Sequence, residues 1–392
     1  MSQLPPLRLT GALILQDGSL QPRSLSLAEG KIAEGVMPEV NLPGYLILPG
    51  IVDLHGDGFE HHMAPRPTAP FPMASGLASF DREAAAHGVT TAYLAQSWSW
   101  EGAHRAPAHA EAIMTALEEY QPRALTDLRI QIRAETHLVH ETDRLIDAVQ
   151  RFKVGYVVFN DHLEEGLQMW RTDEARFDHW ARRLGKRPRD LADSIALARD
   201  SHDEVPRSLR RLADAFDRMG VHYGSHDDPD METRETYRMI GARIAEFPLT
   251  PRVAAGAFAM QSPVIMGAPN VVRGQSQAGN VSAMELILAG HCDALVSDYH
   301  VPALSMAAWA LVDRGVMEIA RAWAMISTNP ARILALADRG RLEPGLRADL
   351  VVVKAETRAI EATITAGRLS YLSGEAGQRF LAQPQIARMA AE

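Results

Sequence analysis

The sequence predicts an α/β protein: a (β/α)8 TIM-like barrel with a small composite β-sandwich formed by both termini. Short Val/Ile/Leu-rich runs alternate with longer Ala/Arg/Glu-rich stretches from about residue 48 to 335. Eight such runs can be read, and residues able to do chemistry sit at their ends. Parallel strands are buried on both faces and read as near-continuous apolar runs, and a barrel of eight carries its working residues at the strand C-termini.

The runs are GYLILPGIVDLH (44–55), VTTAYLAQS (89–97), LRIQIRAE (128–135), GYVVFND (155–161), VHYGSH (221–226), IAEFPL (244–249), PVIMGAP (263–269) and DALVSD (293–298). An open doubly wound sheet competes, but it wants a phosphate-binding glycine loop after its first strand, and HGDGFE is a poor one. The first 45 residues, 338–353 and 358–372 read as hairpin strands that bury little alone. Residues 1–47 and 340–373 are therefore assigned to one sandwich, 48–339 to the barrel and 374–392 to a peripheral tail. Residues 164–220 form an insertion with helical spacing, giving two or three amphipathic helices of which the last belongs to the barrel. A solvated arm or oligomer contact is its first reading and a lid the second; a homo-oligomer is expected.

With 46% hydrophobic and 23% charged residues in 392, the chain has an ordinary globular composition. No stretch is apolar enough to span a membrane, and the start MSQLPPLRLTGALIL lacks signal-peptide features, so a cytoplasmic enzyme with no membrane partner is expected. A net charge of −9 gives no chain-wide attraction to nucleic acid. There is one cysteine, Cys292, which excludes a disulfide framework and a CxxC zinc site. Any metal must be held by His, Asp and Glu.

Residues two apart on a strand share a face, so His55 and Asp57 would both face the barrel mouth and chelate one ion. Glu135 ends the third run as a metal ligand or bridge, with Arg133 on the same face as its salt-bridge alternative. His162 and His226 follow the fourth and fifth runs, and neutral imidazole is a common metal ligand. Asp161, Asp227, Asp228, Glu60 and His300 are placed around these ligands, where carboxylates can fix a tautomer or cap a turn. Asp298 ends the eighth run and is the candidate general base. The stretch MGAPNVVRGQSQAGNVSA supplies Arg273, Ser276 and Asn280 as an anion site, with Arg66 and Arg133 as further cations. The implied cofactor is a divalent metal, one or two zinc ions, with manganese or iron as alternatives.

Through LPGIVDLHGD, GVTT, Asp298 and GLRADLVVV the chain resembles the amidohydrolase superfamily. Through SHDD, IAEFPLT, MGAPNVVRG, QAGNVSA, SDYH and STNPAR it is similar to that superfamily's phosphonate-degradation branch. The resemblance implies a metal-dependent hydrolase barrel acting on a small phosphorylated sugar, a ribose 5-triphosphate, to release diphosphate and leave a 5-phosphate. The alternative within enzymes is hydrolysis of an N-acyl or cyclic amide. The alternative of another class is a catalytically inactive barrel serving as a binding or scaffold protein.

Overall fold

A computed structural model describes residues 3–66, 69–276 and 279–383. Eight parallel strands follow one another in chain order: Ile51–Gly56, Val89–Trp98, Asp127–Glu135, Tyr156–Asn160, His222–His226, Ile244–Glu246, Val264–Gly267 and Ala294–Val296. Seven of the eight expected runs supply barrel strands directly; the first, 44–55, splits at Gly50 into Tyr45–Pro49, which joins a terminal sheet, and the barrel strand Ile51–Gly56. The ring closes where Asp298 N–H donates to the His55 carbonyl (3.0 Å) and Asp57 N–H to the Asp298 carbonyl (2.9 Å).

Alternation along the strands divides the apolar residues between two cores. Val52, Leu54, Tyr156, Val158, Ile244 and Val296 fill the barrel interior. Leu94, Ile132, Phe159 and Leu295 face outward and pack with the surrounding helices. This explains why the runs read as apolar without a two-residue pattern.

The first strand breaks the alternation. Asp53 pairs with Ala92 and Gly56 with Leu94, so three steps on one strand match two on the other, a β-bulge. Without it His55 would turn outward with Asp53, because Val52 and Leu54 already point in. The outward positions are spoken for: Asp53 accepts from Ser297 N–H (3.0 Å) and Oγ (2.6 Å). A Cβ on Gly56 would lie 2.6 Å from Ser297 Oγ and 2.9 Å from Asp53 Oδ2, so only glycine fits beside that pair.

The termini build two further sheets. A four-stranded one has the order 31–33, 25–28, 7–10, 39–41; a six-stranded one has the order 368–372, 360–365, 350–354, 45–49, 13–16, 19–22. In the second, Leu350–Lys354 pairs antiparallel with Tyr45–Pro49, joining the two ends of the chain. Leu9, Ile14, Ile47, Val352 and Ile364 share one core there. The expected peripheral tail differs in its first part: Gly374–Leu381 is a helix, and its Ala376 and Phe380 are fully buried in that core. Two apolar residues four apart fall on one helix face, enough to dock one side of a short helix. Residues 384–392 lie outside the described residues.

The insertion contains helices Leu163–Thr172, Glu174–Arg183 and Pro188–Asp200, followed by Val205–Met219. Among the described residues no helix is long and apolar enough to cross a membrane.

Candidate active site

The C-terminal end of the barrel opens into a cavity of about 520 Å³, lined by His55, Asp57, Arg133, His226, Asp227 and Asp298 from strand ends and by Arg273, Ser276 and Asn280 from the stretch after strand seven. These predicted residues therefore converge, although they come from distant parts of the chain.

Beneath them lies Glu246, the last residue of strand six and fully buried. Its Oε1 accepts from Gln131 Nε2 (2.7 Å) and Tyr156 Oη (2.6 Å). Its Oε2 faces Nδ1 of His55 (2.8 Å) and Nδ1 of His226 (3.1 Å). The two imidazoles stack with centroids 5.0 Å apart. One carboxylate thus fixes two rings, as a carboxylate behind a metal-ligating histidine does. Burial works against its charge, but His55 and His226 hold Glu246 well below the usual carboxylate range.

Burial, the largest influence, lowers the pKa of His226, and neutral His226 can accept at Nε2 from Arg133 Nη2 (3.1 Å). For His55 burial opposes protonation, yet the charge of Glu246 wins and raises its pKa. Asp298 is pushed up to about 6, first by burial and then by the charge of Asp57. It adopts a left-handed φ of 55°. A Cβ on Gly267 would sit 3.2 Å from its Oδ2, so glycine there keeps room for the carboxylate.

The donor set suits a divalent cation. His55, His226 and Glu246 offer ligand atoms within 4.8 Å of one another. Asp57 and Asp298 line the same cavity and add two carboxylates to the donor set. Borderline N and O donors fit zinc, manganese or iron.

Glu135 and His162 form a second group with Glu101, also within 4.8 Å. Both the backbone N–H (3.2 Å) and Nδ1 of His162 bond Glu135. Burial opposes the charge on His162, but Glu135 raises it to about 9. Glu60, at the start of a short helix, is pushed up to about 7 by burial and Asp57.

Four predicted residues lie elsewhere. Asp161 caps the next helix through Leu163 N–H (3.1 Å) and faces His137 (3.3 Å) in a different cleft. Asp228 accepts from Ser225 Oγ (2.6 Å) and Arg234 (3.2 Å) in a buried network away from the cavity. His300 and Arg66 are exposed and do not line it. All four lie beyond their strands, where alternation no longer dictates direction. Arg273 ends the short helix Ala268–Arg273, rather than preceding a helix start, and donates to Tyr299 Oη (3.1 Å). Glu246 stands in the sixth run but was given no role from sequence, and Glu101, Gln131, Tyr156 and Arg176 were not singled out. For Glu246 a signal existed, a carboxylate closing the sixth apolar run.

A barrel of this closure, with acid and imidazole groups gathered at its mouth, defines a metal-dependent hydrolase, and the chain belongs to the amidohydrolase family. Residues 277–370 match that family's profile. The chain is 30% identical over 354 residues, 88% of this chain and 91% of the other, to alpha-D-ribose 1-methylphosphonate 5-triphosphate diphosphatase of Escherichia coli (strain K12). Its fold is similar to N-acetylglucosamine-6-phosphate deacetylase from Thermotoga maritima (TM-score 0.60, 15% identity, covering 93% of this chain and 100% of that one). It is also similar to N-acyl-D-glutamate deacylase from Bordetella bronchiseptica (TM-score 0.59, 15% identity, covering 94% and 96%).

Proposed function

We propose that the protein hydrolyses alpha-D-ribose 1-methylphosphonate 5-triphosphate to the 5-phosphate and diphosphate. The supporting observation is a mouth in which the arginines Arg133 and Arg273 share one cavity with Asp298 and the His55–His226 pair, in a chain 30% identical to an enzyme of that name. A divalent ion held by His55, Asp57 and His226, with Glu135 and His162 as candidates for a second, would supply Lewis acidity and counter-charge for phosphate oxygens.

The chain's own residues do the rest. Asp298 takes the proton of the attacking water at its carboxylate. Glu246 holds both imidazoles in the tautomer that bonds it through Nδ1 and leaves Nε2 as the lone-pair atom, which in His226 faces Arg133. Arg273, Ser276 and Asn280 bind the phosphate chain and orient it, as phosphoryl transfer rests on positioning and charge stabilisation. Glu60 and Asp227 shape the charge around that centre.

The test is incubation of the purified, metal-loaded chain with the triphosphate and with a panel of N-acyl and cyclic amides, followed by phosphorus NMR and amine release. Diphosphate is the expected product. Turnover of amides with none of the triphosphate would overturn the proposal.

A further inference from the structure

The helical arm is not confined to the periphery. Arg176, on Glu174–Arg183, lines the same cavity as His55 and Asp298. Its side chain is 65% exposed and its ion pair is with Glu165 at 3.4 Å, itself 59% exposed. An exposed pair of that kind contributes little to folding, so packing does not account for where the guanidinium stands.

The helix docks through buried Phe177 and Ala181 and is pinned by a half-buried anchor four residues on from Arg176. Trp180 Nε1 donates to Glu101 Oε2 (3.1 Å), and its ring meets Trp100 edge-on at 6.1 Å. Glu101 is 1% exposed and follows barrel strand two, so the arm is fastened to the rim of the mouth. Residues four apart share a helix face; the anchor at Trp180 therefore sets the position of Arg176.

Of the three arginines of the cavity one is deep and two are exposed. Arg133 is 12% exposed and already faces Asp57 (3.8 Å) and His226. Arg273 is exposed and bonds the Tyr299 hydroxyl, next in sequence to Asp298, while Arg176, also exposed, reaches the cavity from the arm. An oligophosphate reacting near Asp298 and extending outward has Arg273, beside Tyr299, and the arm's Arg176 to meet. We infer that Arg176 binds the outer phosphate of the substrate's oligophosphate chain and that Trp180 is its positioning residue, which makes the helical arm a selector for phosphate-chain length. This rests on the triphosphate reading of the site.

The experiment uses the full chain with inorganic tripolyphosphate and orthophosphate as calorimetric probes, beside steady-state kinetics with the triphosphate. Arg176→Ala is expected to weaken tripolyphosphate binding about tenfold, to leave orthophosphate within about twofold, and to raise KM with kcat little changed. Arg176→Lys should recover part of the loss. Trp180→Phe, which alters no charge, should give the same selective loss. Wild-type affinity for tripolyphosphate in Arg176→Ala would overturn the inference and leave the triphosphate reading standing. A wild-type chain that neither binds tripolyphosphate nor cleaves the triphosphate would overturn both.

Discussion

Barrel strand three starts at Asp127 and ends at Glu135, and the two carboxylates keep different company. Asp127 accepts from Arg129 (3.0 Å), Arg339 (2.6 Å) and Arg347 (3.1 Å), and Arg339 also reaches Thr91 (2.8 Å). Burial opposes its charge, but those arginines bring Asp127 down to about 2. At the other end Glu135 is, against burial, also lowered by His162 and Arg133, but around it carboxyls are pushed up by burial and then by Asp57: Glu60 to about 7 and Asp298 to about 6. Charge is compensated at the bottom, where the barrel is tied to the C-terminal segment, and left under-compensated at the mouth. The lesson is a physical form of the rule that one face of such a barrel serves stability and the other chemistry.

The sharpest way to break this contrast is at the mouth. Asp298→Asn is expected to retain metal by elemental analysis yet lose roughly 10²–10⁴-fold in turnover; undiminished turnover would remove it as the base. Glu246→Gln preserves shape and removes the charge that two imidazoles share. Its expected loss is about 10–100-fold in metal affinity, read by competition with a chelator, and an unchanged affinity would make Glu246 a packing residue.

The same isosteric change at the bottom should do the reverse. Asp127→Asn is expected to cost about 2 kcal/mol in urea unfolding while the folded enzyme keeps its kcat. Because the folded pKa is depressed, this contribution is present above the unfolded value of about 3.9 and disappears as pH falls through about 2. The wild-type and mutant unfolding midpoints should therefore converge in acid, and a constant gap would show that charge is not the cause. The smallest effect is expected from Arg273→Ala, a rise in KM of about tenfold at similar kcat; unaltered kinetics would exclude Arg273 from substrate binding.

The barrel was legible because each strand is apolar on both faces and is bounded by turns, so runs such as GYVVFND and DALVSD stand out. His55, Arg133 and His226 reach the cavity because strand termini fix their direction, and Asp298, two residues past its strand, because its backbone bridges Gly56. Glu246 was harder to assign, since its role depends on Gln131 and Tyr156 meeting it from other strands. Arg176 was hidden in an amphipathic pattern that any solvated helix would share. Asp161 and Asp228 carry the right chemistry but sit one or two residues past their strands, where local turns choose the partner.

The bulge between Asp53 and Gly56 gives the first strand a length-sensitive reading frame. Straightening the bulge at constant length would restore simple alternation and turn His55 into the outer layer while Val52 and Leu54 stayed inside. Such a register slip would leave the barrel's apolar interior intact yet cost it the first imidazole without any substitution of a site residue. A spacing of two between His55 and Asp57 is thus informative only together with the Gly56, Asp53 and Ser297 contact that sets the frame. Searches for remote relatives would gain by scoring that trio alongside the histidine.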